Sequence, residues 1–292
     1  MKYIFFTIII ICTSKYLYSK DLFNSSFYDV EFISNNIEND KIKKINQIKK
    51  ESILKIFNKT LERKQYQKIS ETLSDDFINI FIKNIIIDDE KIINDQYLSK
   101  IKINFNKKKI INFFIEKKIP YVEYLPNKFL LIIYEEDEVS NNLFSKNNNF
   151  YRYLIENNHI NNMFFLPKLD INDRFILKIE DIKNTNIEKI KLFSKKYNLN
   201  DIIIVVVQIN KGKPNYKLIL YSDGVTVEKK IKFKEYKINK FFNILENESL
   251  NIWKKINAIQ NTTLNSLNCK IRYFNTLELK EIRNNLSNVS NI

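Results

Sequence analysis

The sequence predicts an α/β (α+β) protein of two small units, an antiparallel sheet with helices followed by a mixed, helix-covered sheet. Three observations carry this. Ile101, Ile103 and Phe105 alternate with Lys102 and Asn104, the period of a strand buried on one face. Phe129 to Tyr134 and Ile202 to Val207 are continuous apolar runs, as strands buried on both faces require. Elsewhere apolar residues recur at three- and four-residue steps, the mark of helices with one face on a core.

The elements follow in order. Met1-Lys2 gives a positive start, Tyr3 to Ile11 is apolar but for Thr7, and small residues stand at Ser14 and Ser19. This order predicts a secretory signal peptide over 1–19, cleaved after Ser14 or Ser19, and a periplasmic address. The alternative is a buried N-terminal strand, which has no need of these flanks. The apolar run covers under half of the roughly 20 residues that a membrane-spanning helix needs.

Residues 20–122 read as a β-α-α-β-β-α unit. Phe27 to Ile33 is a strand with Tyr28, Val30 and Phe32 on one face. Asp40 to Leu61 is a long helix, whose weak point is the step from Ile48 to Ile53. A short helix near Ser74 to Lys83 has Ser74 as its N-cap and Asp75-Asp76 in the first turn. Ile85 to Ile93 and Tyr97 to Phe105 form a hairpin across Asn94-Asp95. Asn106 caps a helix that Pro120 stops.

Residues 123–257 read as an α/β unit with a mixed sheet. Phe129 to Tyr134, Met163 to Leu166 and Ile202 to Val207 are its buried central strands, with Ile202 to Val207 the most buried. Asn149 to Asn157 and Asn186 to Tyr197 are helices between them, and Thr185 with Glu188 reads as a capping box. Glu135 to Glu138 and Lys146 to Asn149 fall in a polar loop. Asp223-Gly224 turns the strand Tyr216 to Tyr221 into Val225 to Phe233, the best hairpin signal in the chain. The helix Tyr236 to Ile256 follows, with Phe241, Leu245, Ile252 and Trp253 on one stripe. Residues 258–292 read as a short strand-helix tail, with Leu267 to Phe274 the strand and Thr276 the helix cap. It resembles a shortened remnant of a further unit.

Composition bounds the function. About 270 residues remain after the leader, enough for one large or two small domains. The chain carries a formal charge of +14, and Lys, Ile and Asn dominate it, as in an AT-rich genome. Losing Lys2 and Lys15 leaves about +12, spread along the chain as on solvated helix faces, with Lys107-Lys108-Lys109 the densest cluster. Cys12 lies in the leader, so Cys269 is alone in the mature chain and no internal disulfide forms.

A particular order of elements resembles a known family. An acidic run, Ile86-Ile87-Asp88-Asp89-Glu90, lies in a hairpin, and Phe105-Asn106 leads into a helix stopped by Ile119-Pro120. Pro126 precedes a buried strand, Leu166-Pro167-Lys168-Leu169-Asp170 closes another, and Lys196-Tyr197-Asn198 ends a helix before Asp201. From about Phe27 to Ile256 this is similar to the proteobacterial envelope family catalogued as domain of unknown function 2066, in its alphaproteobacterial form. Asn198 stands where that family favours glycine and Lys196 where it favours arginine; Asn tolerates the left-handed conformation a helix end needs. The resemblance implies an envelope protein and carries no catalytic residues with it.

The chemistry is mostly exclusion. Gly212 and Gly224 are the only glycines, so no phosphate-cradling glycine loop is possible. His159 is the only histidine, so a multi-histidine zinc site is excluded. At a helix end it reads as a capping or solvated group. Glu135 to Glu138 lacks the spaced ligands of a calcium loop. Asp88-Asp89-Glu90 lies in a strand whose neighbours point to opposite faces. Phe150, Tyr151 and Tyr153 beside Arg152 could stack bases, but helical spacing makes them core. No residue is assigned a catalytic, cofactor-binding or metal role, and no cofactor is expected. The expected function is a non-catalytic binding or assembly module of the periplasm. Its partner is another envelope protein or an envelope component, with no nucleic acid and no transmembrane span. The alternatives are an envelope hydrolase using carboxylates only and a basic nucleic-acid-binding protein.

Overall fold

Val30 is buried between half-buried Tyr28 and Phe32, so one face of β1 (Tyr28–Ile33) rests on a core. The structure, a computed structural model, describes residues 22–145, 148–156, 163–211, 213–231, 237–260 and 270–289. The leader, His159, Gly212 and Cys269 lie outside the described residues. Helix α1 (Ile37–Thr60) starts where the Asn36 side chain accepts from the Asn39 amide, and it buries Ile48, Ile53, Ile56 and Phe57. The step from Ile48 to Ile53 does not break it. Helices α2 (Arg63–Ser70) and α3 (Asp75–Phe81) follow, with Ser74 accepting from Phe77 at the start of α3. The first half therefore holds one more helix than the sequence predicts. Among its residues α2 buries only Ile69, so it carries no stripe to read.

Strands β2 (Ile82–Ile93) and β3 (Gln96–Phe105) form the expected hairpin, with Asn94 in the left-handed region at φ 55°. Strand β3 is central in the order β1-β3-β2, and its alternate residues Ile101, Ile103 and Phe105 are buried. A bulge between Asp88 and Lys91, with Asp89 at φ 52°, interrupts the alternation expected of the acidic run. Helix α4 (Lys107–Glu116) is capped by Asn106, which accepts from the Lys109 amide at 3.1 Å.

The second sheet runs β5-β4-β7-β8-β9, with β6 also beside β4. Its strands are β4 (Phe129–Glu136), β5 (Asn141–Leu143), β6 (Phe164–Phe165), β7 (Ile202–Asn210), β8 (Lys213–Ser222) and β9 (Val225–Ile231). The sheet is mixed: β4 and β7 are parallel, while β7, β8 and β9 are antiparallel. Its helices are α5 (Asn149–Glu156), α6 (Ile171–Ile176), α7 (Ile179–Lys183), α8 (Ile187–Tyr197) and α9 (Ile238–Asn257). Period-two geometry sends Leu131, Ile133 and Val205 to one face, against Phe150, Leu245 and Trp253 of α5 and α9. Ile132, Tyr134 and Ile204 meet Ile182, Ile190 and Phe193 of α7 and α8 on the other. Because both faces are covered, β4 and β7 are apolar at every position of their inner stretch, and β4 is as deeply buried as β7.

Four expectations fail here. Met163 to Leu166 is not a central strand: β6 is two residues at an edge, and Phe165 is 40% exposed. An apolar run alone does not distinguish an edge from a centre. Glu135 and Glu136 belong to β4 rather than to a loop, because β5 returns in a hairpin and pairs with them. The cap of α8 is Asn186, accepting from the Lys189 amide; Thr185 sits at φ 49° and its hydroxyl donates to Glu228 at 2.6 Å. Helices α6 and α7 are too short to show a period. The Asp223-Gly224 turn forms as expected, with φ of 46° and 79°, and glycine suits the second position.

The cores divide near residue 121, one spanning Leu22 to Tyr121 and the others beginning at Val122. Tyr121 ties the halves by isolated bridges to Leu61 and to Ile259. Lys254 of α9 donates to the carbonyls of Asn58 and Leu61 at the end of α1. Arg63 reaches Glu248 of α9 at 2.8 Å.

The described residues 270–289 belong to a unit separate from the rest. Its helix α10 (Thr276–Val289) is capped by Asn275, which accepts from the Glu278 amide, not by Thr276. Lys270 to Phe274 is not a strand, and the rest of the expected strand lies outside the described residues. Among the described residues no helix is long and apolar enough to cross a membrane.

Candidate functional site

Helix α8 ends at Asn198, which adopts the left-handed conformation at φ 53° and ψ 38°. Asn does so at low cost, and it swings the chain into β7 within four residues. Asp201 is the last residue before that strand. Its backbone carbonyl accepts from Leu130 at 2.9 Å, so parallel β4 and β7 begin side by side. A cleft of about 1210 Å³ opens at this end of the sheet. Leu22 and four segments wall it: Tyr124 to Lys128 before β4, the end of α8 with the loop to Asp201, the Tyr221 to Gly224 turn, and the last turn of α9. Ligands of open parallel sheets usually sit at the carboxyl ends of strands, so this cleft lies at the opposite end of β4 and β7.

A hydrogen-bonded chain lies in the cleft wall. The Asn257 amide donates to Ser222 Oγ at 3.0 Å, and Ser222 Oγ donates to Asp201 Oδ1 at 2.5 Å. The Trp253 indole N–H donates to the same oxygen at 3.0 Å. Burial raises the Asp201 carboxyl above its usual range, against the two donors, and Asp223 adds to the rise. Oδ2 of Asp201 makes no hydrogen bond among the described residues. Trp253 is buried, while Tyr124 is 56% exposed and meets the indole edge-on at 5.5 Å. Lys128, Lys191 and Lys195 also line the cleft, and none is ion-paired among the described residues.

A second polar centre is structural. Asp173 is fully buried, yet it accepts from the Leu169 amide at 3.1 Å, from Tyr197 at 2.6 and 2.8 Å, and from Lys196 at 2.6 Å. Asp170 in turn accepts from the Asp173 amide and caps α6. Asp173 thus gathers Leu169 and Asp170 of the segment Leu166 to Asp170 and Lys196 and Tyr197 of the segment Lys196 to Asn198, and holds the start of α6 on the end of α8.

The other groups weighed from sequence fall apart as sites. Glu135 is buried and faces Asn149, Glu136 pairs with Lys183, and Asp137 caps its own turn through Val139 and Ser140. Asp89 pairs with Lys100, and Glu90 with Lys41 and Tyr97. Phe150 and Tyr151 are core, and the Tyr151 hydroxyl accepts from the Ile133 amide. Lys107 pairs with Glu123. Among the described residues no cluster of three metal-ligating side chains exists. Sequence reasoning passed over Ser222, Asn257 and Tyr124, since they lie far apart in the chain and no spacing joins them to Asp201.

No family model matches the chain, and no curated protein does.

Proposed function

We propose that the protein is an exported, non-catalytic binding or assembly module of the bacterial envelope, and that it holds its partner in the cleft at the start of β4 and β7. The partner is another envelope protein or an envelope component. The carrying observation is Asp201: a half-buried carboxylate with one oxygen fixed by Ser222 and Trp253 and the other open, at the wall of a cleft of about 1210 Å³. A site that raises a carboxyl by burial gives up stability, and such groups gather where ligands bind. The charged, apolar, small-residue leader supports the address, and the resemblance to a proteobacterial envelope family points the same way.

The rival reading is a carboxylate-only hydrolase, which Asp201 favours because a raised carboxyl can donate a proton, with Asp223 the second acid in the cleft. One experiment separates the two. A photo-crosslinking residue at Tyr124 and another at Ile80, both exposed, are compared in intact cells, with N-terminal sequencing of the fractionated protein. The expected result is a periplasmic protein with an adduct at position 124 only. Equal adducts at both positions, or none, would sink the reading. Release of hydrolysis products, lost in Asp201→Asn, would establish the rival.

A further inference from the structure

We propose that the cleft ligand is an acidic saccharide, whose hydroxyls donate to Asp201 and Asn257 and whose carboxylate or phosphate meets Lys128, Lys191 and Lys195; this rests on the reading that the cleft is the binding site.

The argument begins with acceptors. Asn257 spends its amide N–H groups on Ser222 Oγ and the Trp253 carbonyl. Its Oδ1 accepts from nothing among the described residues, and neither does Oδ2 of Asp201. Neither atom is sealed from solvent, since no buried unsatisfied oxygen is found on these residues. Ser222 links the two side chains and fixes both, so the free oxygens are held in place before any ligand arrives. Preorganised acceptors call for a ligand rich in donors.

Donors come as hydroxyls or as ammonium groups, and the lysines decide between them. Three cations line the cleft against two carboxylates, Asp201 and Asp223. An ammonium ligand would meet net repulsion there, whereas neutral hydroxyls do not. The same unpaired ammonium groups favour a ligand that also carries an anion. Tyr124 adds an exposed ring beside the acceptors, a surface for the C–H face of a pyranose. An extended peptide fits less well. It binds by adding to a strand edge, and this cleft lies at strand ends, with the β4 edge already taken by β5 and β6.

The test is calorimetric titration of the full mature protein with three disaccharides. One is N-acetylglucosamine joined to N-acetylmuramic acid, which carries a lactyl carboxylate. The others are chitobiose, its neutral counterpart, and the deacetylated, cationic chitosan disaccharide. The acidic sugar should bind about tenfold tighter than chitobiose, the scale of one charge-assisted hydrogen bond, and the cationic one should bind least. Lys128→Gln with Lys195→Gln should bring the acidic and neutral sugars to equal affinity. Asp201→Asn, close to isosteric, should weaken both by a similar factor while the melting curve shows the fold intact. Equal affinity for acidic and neutral sugars, or preference for the cationic one, overturns the proposal. If no sugar binds but Asp201→Asn still abolishes the adduct at position 124, the ligand is a polypeptide; the saccharide falls and the cleft reading stands. If no sugar binds and that adduct is unchanged, both fall.

Discussion

Asp201 is half-buried and Lys254 buried, and the two ionisable groups respond to pH in opposite senses. The folded-state carboxyl of Asp201 is raised, so its contribution to stability is full below its unfolded value, near 3.8, and is lost as pH rises through the folded value. At neutral pH its ionisation therefore opposes folding. Asp201→Asn removes that titration while leaving an oxygen for Ser222 and Trp253. The variant should melt at or above the parent at about pH 7, and the difference should shrink or reverse toward about pH 4. Thermal melts of both proteins across that range check this. A variant less stable than the parent at neutral pH, by the same margin at every pH, would mean the carboxylate is there for structure. Asp173 makes the contrast plain: it has an acceptor role for every partner around it and holds two helices together.

Helix α9 is the element on which the fold turns, because it packs on the second sheet and reaches the first half. Burial and the neighbouring Arg63 push the Lys254 ammonium down to about 8, while its bonds to the carbonyls of Asn58 and Leu61 complement the end of α1. Lys254→Met strands those carbonyls, and Leu61 is fully buried, so the variant should lose about 1–3 kcal/mol in urea unfolding at pH 7. A lowered folded value for a lysine means that the parent gains stability as pH rises through about 8 toward the unfolded value of 10.5. The variant should not show that gain; an unchanged pH slope would assign it to another group. None of this was legible in the sequence, where Lys254 sits among many solvated lysines beside the stripe of Ile252 and Trp253. What periodicity could show were elements with a long buried face, such as α1, β3, β4 and β7. It missed α2, α6 and α7, since each buries one residue among those described and a single residue has no period. It placed Glu135 in a loop because acidic residues rarely sit in a central strand; here the strand outruns its apolar core and Asn149 meets the carboxylate. The cleft was invisible for a further reason: its wall is assembled mainly from four segments whose proximity is a property of the sheet.

At the scale of the whole molecule, the core of the first half is joined to the second half by Tyr121, Lys254 and Arg63, and the two cores of the second sheet share β7. Val205 is fully buried, faces Ile133 and Leu218 in register on its two neighbours, and lies under α5 and α9. Its partners on that face include Phe150, Leu245 and Trp253. Val205→Asp would place an unpaired charge there, at a cost of several kcal/mol against a total stability of about 5–15 kcal/mol for a typical domain. The second sheet should fail to form. Because α9 is part of that core, its bonds to Asn58, Leu61 and Arg63 should go with it, so the first half loses its partner too. The expected result is a variant that is insoluble, or soluble without a cooperative melt, while Val205→Ile is tolerated. A soluble Val205→Asp protein that melts like the parent would remove β7 from the centre of the fold. A protease-resistant fragment covering 22–122 would instead show that the first core stands without the clamp from α9.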